Sequence, residues 1–360
     1  MGQGVVAAGL MASAQPVGAN GFRLVTQDAY AAARGEAFVA TADNASAVHY
    51  NPAGLTQLEG HHVRGGLYGL YYDPTFRPPS GAPNAGRLYR VKDTTAVAPQ
   101  FYYSYSPKKS PLALGLGVYA PHGASITWPQ DTGFRTVSTE GSLTYLRINP
   151  VVAVEVTPEL SLAAGVMIDY GDIALEQALK RSTRDPSFFR FEGDDVGVGY
   201  NLGVLWKASE RISVGATLRS GTTLEMKGQS DYTFLPFTQD ARETSRAEFE
   251  FPMTAVFGVA FRPNEKWNIE FNADWTQWSS LGDVTVVHDS ENPAFPVNQE
   301  SVINLRWRDS WIYKVGVTRS FENGWRASAG FLFNQNSVRD TYYVARVADL
   351  DRHVLTLGVG

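Results

Sequence analysis

The chain has 360 residues, a formal net charge of −5 and no cysteine. No basic face advertises nucleic acid, and neither a disulfide framework nor a cysteine-based metal site is possible. The length admits one or two soluble domains or one large barrel, and no run approaches the roughly 18 apolar residues of a spanning helix.

Residues 1–19, MGQGVVAAGLMASAQPVGA, are small and apolar, and the first cation is Arg23. They read as the apolar part of a secretory signal, with Val17-Gly18-Ala19 as the cleavage site and a true start upstream of Met1. Residues 20–58 are rich in small side chains and lack strand alternation. A compact non-strand segment ahead of a run of membrane-type strands predicts a plug, or hatch, inside a barrel.

From about residue 61 onward the period is two, and residues 59–360 are read as the barrel. In WNIEFNADWTQW, Trp267, Ile269, Phe271, Ala273 and Trp275 oppose Asn268, Glu270, Asn272, Asp274 and Thr276. LALGLGVY (112–119), ISVGATLRS (212–220) and WRASAGFLFNQNS (325–337) repeat the arrangement. About twelve strands are predicted, starting near 61, 97, 112, 138, 160, 194, 211, 245, 266, 303, 324 and 352. Their connections alternate between short turns (106–111, 157–160, 207–211, 262–266, 320–324) and long loops (73–96, 120–137, 177–193, 228–244, 289–302, 337–351). Outer-membrane barrels have short periplasmic turns and long outer loops. Trp206, Phe261, Trp267, Phe321 and Trp325 lie beside the short turns, where an interfacial girdle belongs. Strand edges facing hydrocarbon must be paired, so the fold class expected is all-β, a closed transmembrane antiparallel barrel. The sequence stops at HVLTLGVG inside its twelfth strand without a terminal aromatic, so one or two strands are expected to be missing.

An ordered set of short motifs fills the opening segment. It comprises Gly21-Phe22-x-Leu24, Ala33-Arg34-Gly35-x-Ala37, Ala42-Asp43-Asn44-Ala45-Ser46 and Tyr50-Asn51-Pro52-Ala53-Gly54-Leu55. Further on come Val118-Tyr119-Ala120-Pro121 with Gly123, the hairpin over 148–166, and Asp274-Trp275-Thr276-Gln277-Trp278. This set resembles the FadL-type outer-membrane transporters of long-chain fatty acids and aromatic hydrocarbons, over nearly the whole chain from Asn20. The resemblance implies a fourteen-stranded barrel with an N-terminal hatch. It also implies capture of apolar substrate between the third and fourth outer loops, an inner pocket reached by the N-terminus, and sideways release at a kinked strand.

On that resemblance Phe22 and Leu24 are candidates for the inner pocket, and Asn51, Pro52 and Ala53 for the gate. Asn51-Pro52 also suits a structural turn. The loops over 177–193 and 228–244 carry Phe188, Phe189, Phe191, Tyr232, Phe234, Leu235 and Phe237. Exposed, so many apolar side chains either bury one another or form a capture groove. Arg147, Glu155, Asp169, Arg219, Glu270, Asp274 and Lys314 are predicted to face the lumen, where buried charges mostly pair.

No G-x-S-x-G or H-E-x-x-H motif is present, so no catalytic residue, metal or cofactor is assigned. The function expected is passive uptake of hydrophobic small molecules, either fatty acids or hydrocarbons. The expected form is a monomer in the Gram-negative outer membrane, in contact with its lipid and lipopolysaccharide. The alternatives are a lipid hydrolase using His49 or His122, and a structural or adhesin barrel with a blocked lumen.

Overall fold

The computed structural model describes residues 8–12, 21–78, 80–81, 84–233, 241–288, 300–342, 345–347 and 349–360. No helix among them is long and apolar enough to cross a membrane, so any crossing falls to strands. One antiparallel sheet of 18 strands dominates. Its first members are β1 (Ala8–Ala12), β2 (Gly60–Tyr71), β5 (Thr95–Ser106), β6 (Leu112–Tyr119), β7 (Gly123–Thr127), β8 (Glu140–Thr157), β9 (Leu160–Ala178) and β10 (Phe188–Lys207). They are followed by β11 (Ile212–Arg219), β12 (Thr222–Thr233), β13 (Ala241–Phe251), β14 (Thr254–Asn264), β15 (Trp267–Thr276), β16 (Val284–His288), β17 (Glu300–Ile303), β18 (Ser310–Ser320), β19 (Arg326–Asn334) and β20 (Arg352–Val359). A small hairpin, β3 (Thr75–Phe76) with β4 (Tyr89–Arg90), stands apart.

Five wall strands are interrupted: β6/β7, β11/β12, β13/β14, β15/β16 and β17/β18 are each two halves of one strand. Counted that way, the sheet is a wall of twelve strands apart from β1, with starts close to those predicted from alternation. Neighbours in sequence are neighbours in the wall, from the β2–β5 ladder round to β19–β20. The closed ring expected from sequence is not seen in these ladders. Among the described residues β2 pairs only with β5, while β20 pairs with β19 and β1. The wall holds the twelve strands expected of this chain, and the fourteen that the resemblance implies for the family's barrel are not confirmed in these ladders.

The alternation has the predicted polarity. In β15, Glu270, Asn272, Asp274 and Thr276 are buried, whereas Trp267, Ile269 and Phe271 are exposed. The outward apolar band covers Leu162–Tyr170 in β9 and Val196–Trp206 in β10, the 9–11 residues that a tilted strand needs to span hydrocarbon. Beyond Tyr170 and Val196 the outer face turns to exposed Asp172, Asp194 and Glu192. The five girdle aromatics beside the short turns are all exposed.

Residues 21–58 run inside the wall as α1 (Ala29–Ala33), α2 (Ala47–Tyr50) and a 3-10 helix over Pro52–Gln57. Asp28 caps α1 through Tyr30 N–H and Ala31 N–H, and Asn51 caps the 3-10 helix through Ala53 N–H. These helices are too short to be stable alone; contact with the wall holds them. Val48 and Leu55 press on Gly115, Pro52 on Gly203, Val39 on Gly215 and Gly258, and Arg34 on Gly316. One small body touching β6, β10, β11, β14 and β18 means that the sheet wraps around it. Two of these approaches are backbone on backbone. A Cβ on Gly215 would stand 2.1 Å from the Val39 carbonyl oxygen, and one on Gly330 2.1 Å from the Gly35 nitrogen.

Gly215→Val and Gly330→Val should therefore leave wall strands that fold but unseat the hatch, since overpacking costs about 1–3 kcal/mol or more at each site. The expected result is normal heat-modifiable mobility on gels together with raised ion conductance in planar bilayers. Unchanged conductance in both variants would contradict the proposed fit.

Candidate functional site

The interruptions lie at one level of the wall. The halves nearest the short turns run 8 to 11 residues before the strand breaks. Pro121 and Pro252 sit in two of the breaks, where a missing N–H ends a ladder.

Residues 22–24 use the first break. Leu24 N–H donates to the Pro121 carbonyl (2.8 Å) and Gly123 N–H donates to the Phe22 carbonyl (2.9 Å). Arg23 and His122 thereby form an antiparallel bridge. The Gln27 amide donates to the Ala120 carbonyl at 2.7 Å. The N-terminal segment thus supplies the partners that the broken third wall strand lacks.

The Phe22 ring is surrounded by one ring from each of four breaks. Trp278 lies 4.8 Å away edge-on, Phe251 and Trp307 at 5.6 Å, and His122 at 5.7 Å. Tyr145 closes the cage against His122 (4.9 Å) and Phe251 (4.6 Å). Phe22 and Leu24 also line a cavity of about 1400 Å³ that extends past Tyr68, Ile126, Leu143 and Val354. The cage opens into a cavity whose lining mixes apolar side chains with Arg23, Asp28, Arg64, Arg346 and Arg352, and such a ring of aromatics can hold an apolar group by shape and burial.

Charged side chains underlie the cage. Arg23 grips Asp274 with two bonds (2.7 and 2.9 Å) and also donates to Thr276 (2.8 Å). Lys314 donates to the same Asp274 at 2.6 Å. Arg147 holds Asp169 through 2.6 and 2.8 Å bonds, and Thr222 adds a third at 2.9 Å. Glu270 pairs with Arg34 of the hatch (3.4 Å) and accepts the Ala40 N–H (2.9 Å). Arg219 is buried without an ion pair among the described residues, its Nε unsatisfied. Glu155 is half-buried near a short turn. The lumen charges named from sequence are therefore mostly paired, the arrangement that burial demands.

The hatch has a titratable centre of its own. Glu36 is buried and accepts the Tyr50 hydroxyl at 2.5 Å, and that hydroxyl accepts the Gln27 N–H at 3.1 Å. Burial pushes the Glu36 carboxyl up to about 7, against smaller opposing effects of Tyr50, Lys314 and Thr26, with Asp28 acting in the same direction as burial.

Asn51 donates to the Val39 carbonyl (2.8 Å) and to the Val204 carbonyl of β10 (2.9 Å). Pro52 abuts Gly203, and Ala53 is fully buried, so this motif pins hatch to wall. The aromatics assigned to outer loops stand elsewhere. Phe188, Phe189 and Phe191 belong to β10 and Tyr232 to β12, with Phe189 and Tyr232 directly paired across the ladder. Their rings lie 5.0 Å apart, and Phe189, Phe191 and Tyr232 are buried with Leu175, Phe249 and Trp278. Phe188 faces Arg135 at 5.1 Å. The wall strands continue above the apolar band, so these residues are strand side chains packed on one another. Phe234, Leu235 and Phe237 fall outside the described residues. Phe251, Trp278 and Trp307 went unrecognised as parts of one cage. The available signals were Pro252 and the Asp274–Trp278 motif, but nothing in sequence brings four breaks together.

A family model described as "Outer membrane protein transport protein (OMPP1/FadL/TodX)" matches residues 9–360. An outer membrane protein of Neisseria meningitidis serogroup B is 25% identical over 94% of this chain and 82% of its own length. The "Long-chain fatty acid transport protein" of Escherichia coli K12 is 21% identical over 89% of this chain and 79% of its own. Among solved structures, a Pseudomonas aeruginosa FadL homologue superposes with TM-score 0.77 at 15% identity, covering 94% of this chain and 97% of that one. The Pseudomonas putida toluene transporter TodX gives 0.68 at 16% identity with the same coverage. At these identities the structures establish the fold alone.

Two outcomes are expected from the site. Asp274→Ala strands Arg23 and Lys314 as buried charges and should cost about 3–5 kcal/mol, read as a lower melting temperature in detergent; an unshifted transition would show that the pair is idle. For Glu36, the seated hatch holds its proton up to about 7 while the ordinary value is 4.5. The seated state binds more protons between those values, so seating weakens as pH rises through that window. Amide exchange over residues 31–57, corrected for intrinsic rate, should speed up between pH 4.5 and 7, and Glu36→Gln should remove the dependence.

Proposed function

The chain belongs to the OMPP1/FadL/TodX family of outer membrane transport proteins, and from that premise we propose that it is a passive importer of hydrophobic small molecules, fatty acids or hydrocarbons. It is a Gram-negative outer-membrane protein of β-barrel type and a channel rather than an enzyme. The observation that carries the substrate reading is the aromatic cage around Phe22 at the end of the cavity. Substrate enters that cavity from the long-loop side and competes with Phe22 for the surrounding rings. Displacing residues 22–24 removes the hydrogen-bond partners of Pro121 and Gly123 and frees the break in β6/β7 for sideways release into the membrane. In this reading the barrel closes with fourteen strands, because unpaired backbone facing hydrocarbon costs several kcal/mol per group. It works as a monomer in contact with lipid and lipopolysaccharide. Packing among the described aromatics of β10 and β12 supports a stiff rim in that region more than an open groove.

The test is uptake of labelled oleate and labelled toluene by cells lacking other carriers. At least one should enter severalfold faster than into cells with empty vector; equal rates for both would refute the importer. Deleting residues 20–58 should change the uptake rate if the hatch is a gate. An unchanged rate would favour a structural or adhesin barrel.

A further inference from the structure

A cation stands on the lipid side of the wall. β18 turns Trp311, Tyr313, Val315 and Arg319 outward, and Arg319 ends that column beside the short turn over 320–324. Directly across the ladder is Trp267, the first residue of β15. The Arg319 guanidinium carbon lies 5.4 Å from the centre of the Trp267 ring and 4.9 Å from that of Phe321, within the range of cation–π attraction. Both rings are exposed girdle aromatics. The two turns that carry them are tied together. Ser320 N–H donates to the Lys266 carbonyl at 2.8 Å, and Lys266 Nζ donates to Glu322 at 2.8 Å.

Contact with rings engages the faces of a guanidinium and leaves its edge, where the N–H donors lie. The Arg319 side chain has no hydrogen bond or ion pair among the described residues. Glu322 is matched with Lys266, and Glu265 on the neighbouring turn forms no ion pair with Arg319. Lys109, Lys207 and Arg211 beside other short turns also lack a carboxylate, but none of them lies over a ring among the described residues. Arg326 lies over Tyr30 of the hatch instead. Girdle rings mark the headgroup layer, and the short turns of such barrels face the periplasm. The leaflet on that side is phospholipid, and a phosphate accepts paired N–H bonds from a guanidinium edge.

We propose that Arg319, Trp267 and Phe321 form a headgroup site for an anionic phospholipid of the periplasmic leaflet. The lipid phosphate sits on the Arg319 edge. Its acyl chains run along Val315, Ile269 and Phe271, which are exposed on the outer face of the same two strands. That continuity with the apolar band selects a lipid over a soluble phosphate, which has no chains to bury there. The site lies outside the wall and is independent of what the channel carries.

The experiment is native mass spectrometry of the delipidated protein in nonionic detergent, titrated with phosphatidylglycerol and with phosphatidylcholine of the same chains. The first phosphatidylglycerol should bind about fivefold more tightly than the first phosphatidylcholine, the worth of one basic side chain beside an anionic headgroup. In Arg319→Gln the two lipids should bind alike. Unchanged phosphatidylcholine affinity and heat-modifiable mobility would report an intact wall. Arg211→Gln, which removes a cation that lies over no ring, should keep the preference. Phe321→Ala should weaken phosphatidylglycerol binding about twofold, because the guanidinium loses one of its rings, and it serves as the test if Arg319→Gln does not fold. Equal affinities in wild type, or a preference that survives Arg319→Gln, would overturn the site. So would an equal loss of preference in Arg211→Gln, which would assign it to net charge, or undiminished phosphatidylglycerol binding in Phe321→Ala.

Discussion

A strand wall in hydrocarbon must satisfy every backbone N–H and C=O within itself. The long ladders of this protein meet that demand, β9 with β10 most fully. The five interruptions would violate it if nothing lay behind them. Here the N-terminal segment does: Leu24, Phe22 and Gln27 bond to residues 120–123, where the third wall strand breaks. Irregular backbone at this depth is tolerated because protein, not lipid, faces it. The segment that fills the pocket is thus the segment that makes the broken strand tolerable.

That double duty explains how the hatch is built. Its lower part is fixed by contacts that are costly to break. Arg34 meets Glu270, Phe38 N–H donates to the Asn272 side chain at 2.8 Å, and Asn51 donates to Val204. Its upper part is held by the Arg23–Asp274 pair, by a few backbone bonds, and by the placement of Phe22 among four rings. Local stability in proteins is uneven, and moving parts come from the less stable end. The hatch divides in this way, with an anchored base and a short arm whose main tie is a single charged cluster.

Much of this was legible before any coordinates. Alternation placed Trp267 outside and Asp274 inside, because a strand's side chains have period two and only one face meets lipid. The alternation of short and long connections set the wall order. The aromatics of β10 and β12 misled for a physical reason. Phe189 and Tyr232 look loop-borne if strands are assumed to stop where the apolar band stops. The wall instead continues, with its inner face packed.

The sequence by itself determined the strand ladder, its inside and outside, and the non-strand character of residues 21–58, because these depend on side chains a few residues apart. Only the tertiary structure decided which buried charges are neutralised and which are not. Arg23 reaches Asp274 across 251 residues, while Arg219, equally buried, has no ion pair among the described residues. It alone joined four separate breaks around Phe22 and matched Val39 and Gly35 to glycines on distant strands. Such pairings are set by how the sheet curves around the hatch, and no local pattern along the chain encodes that curvature.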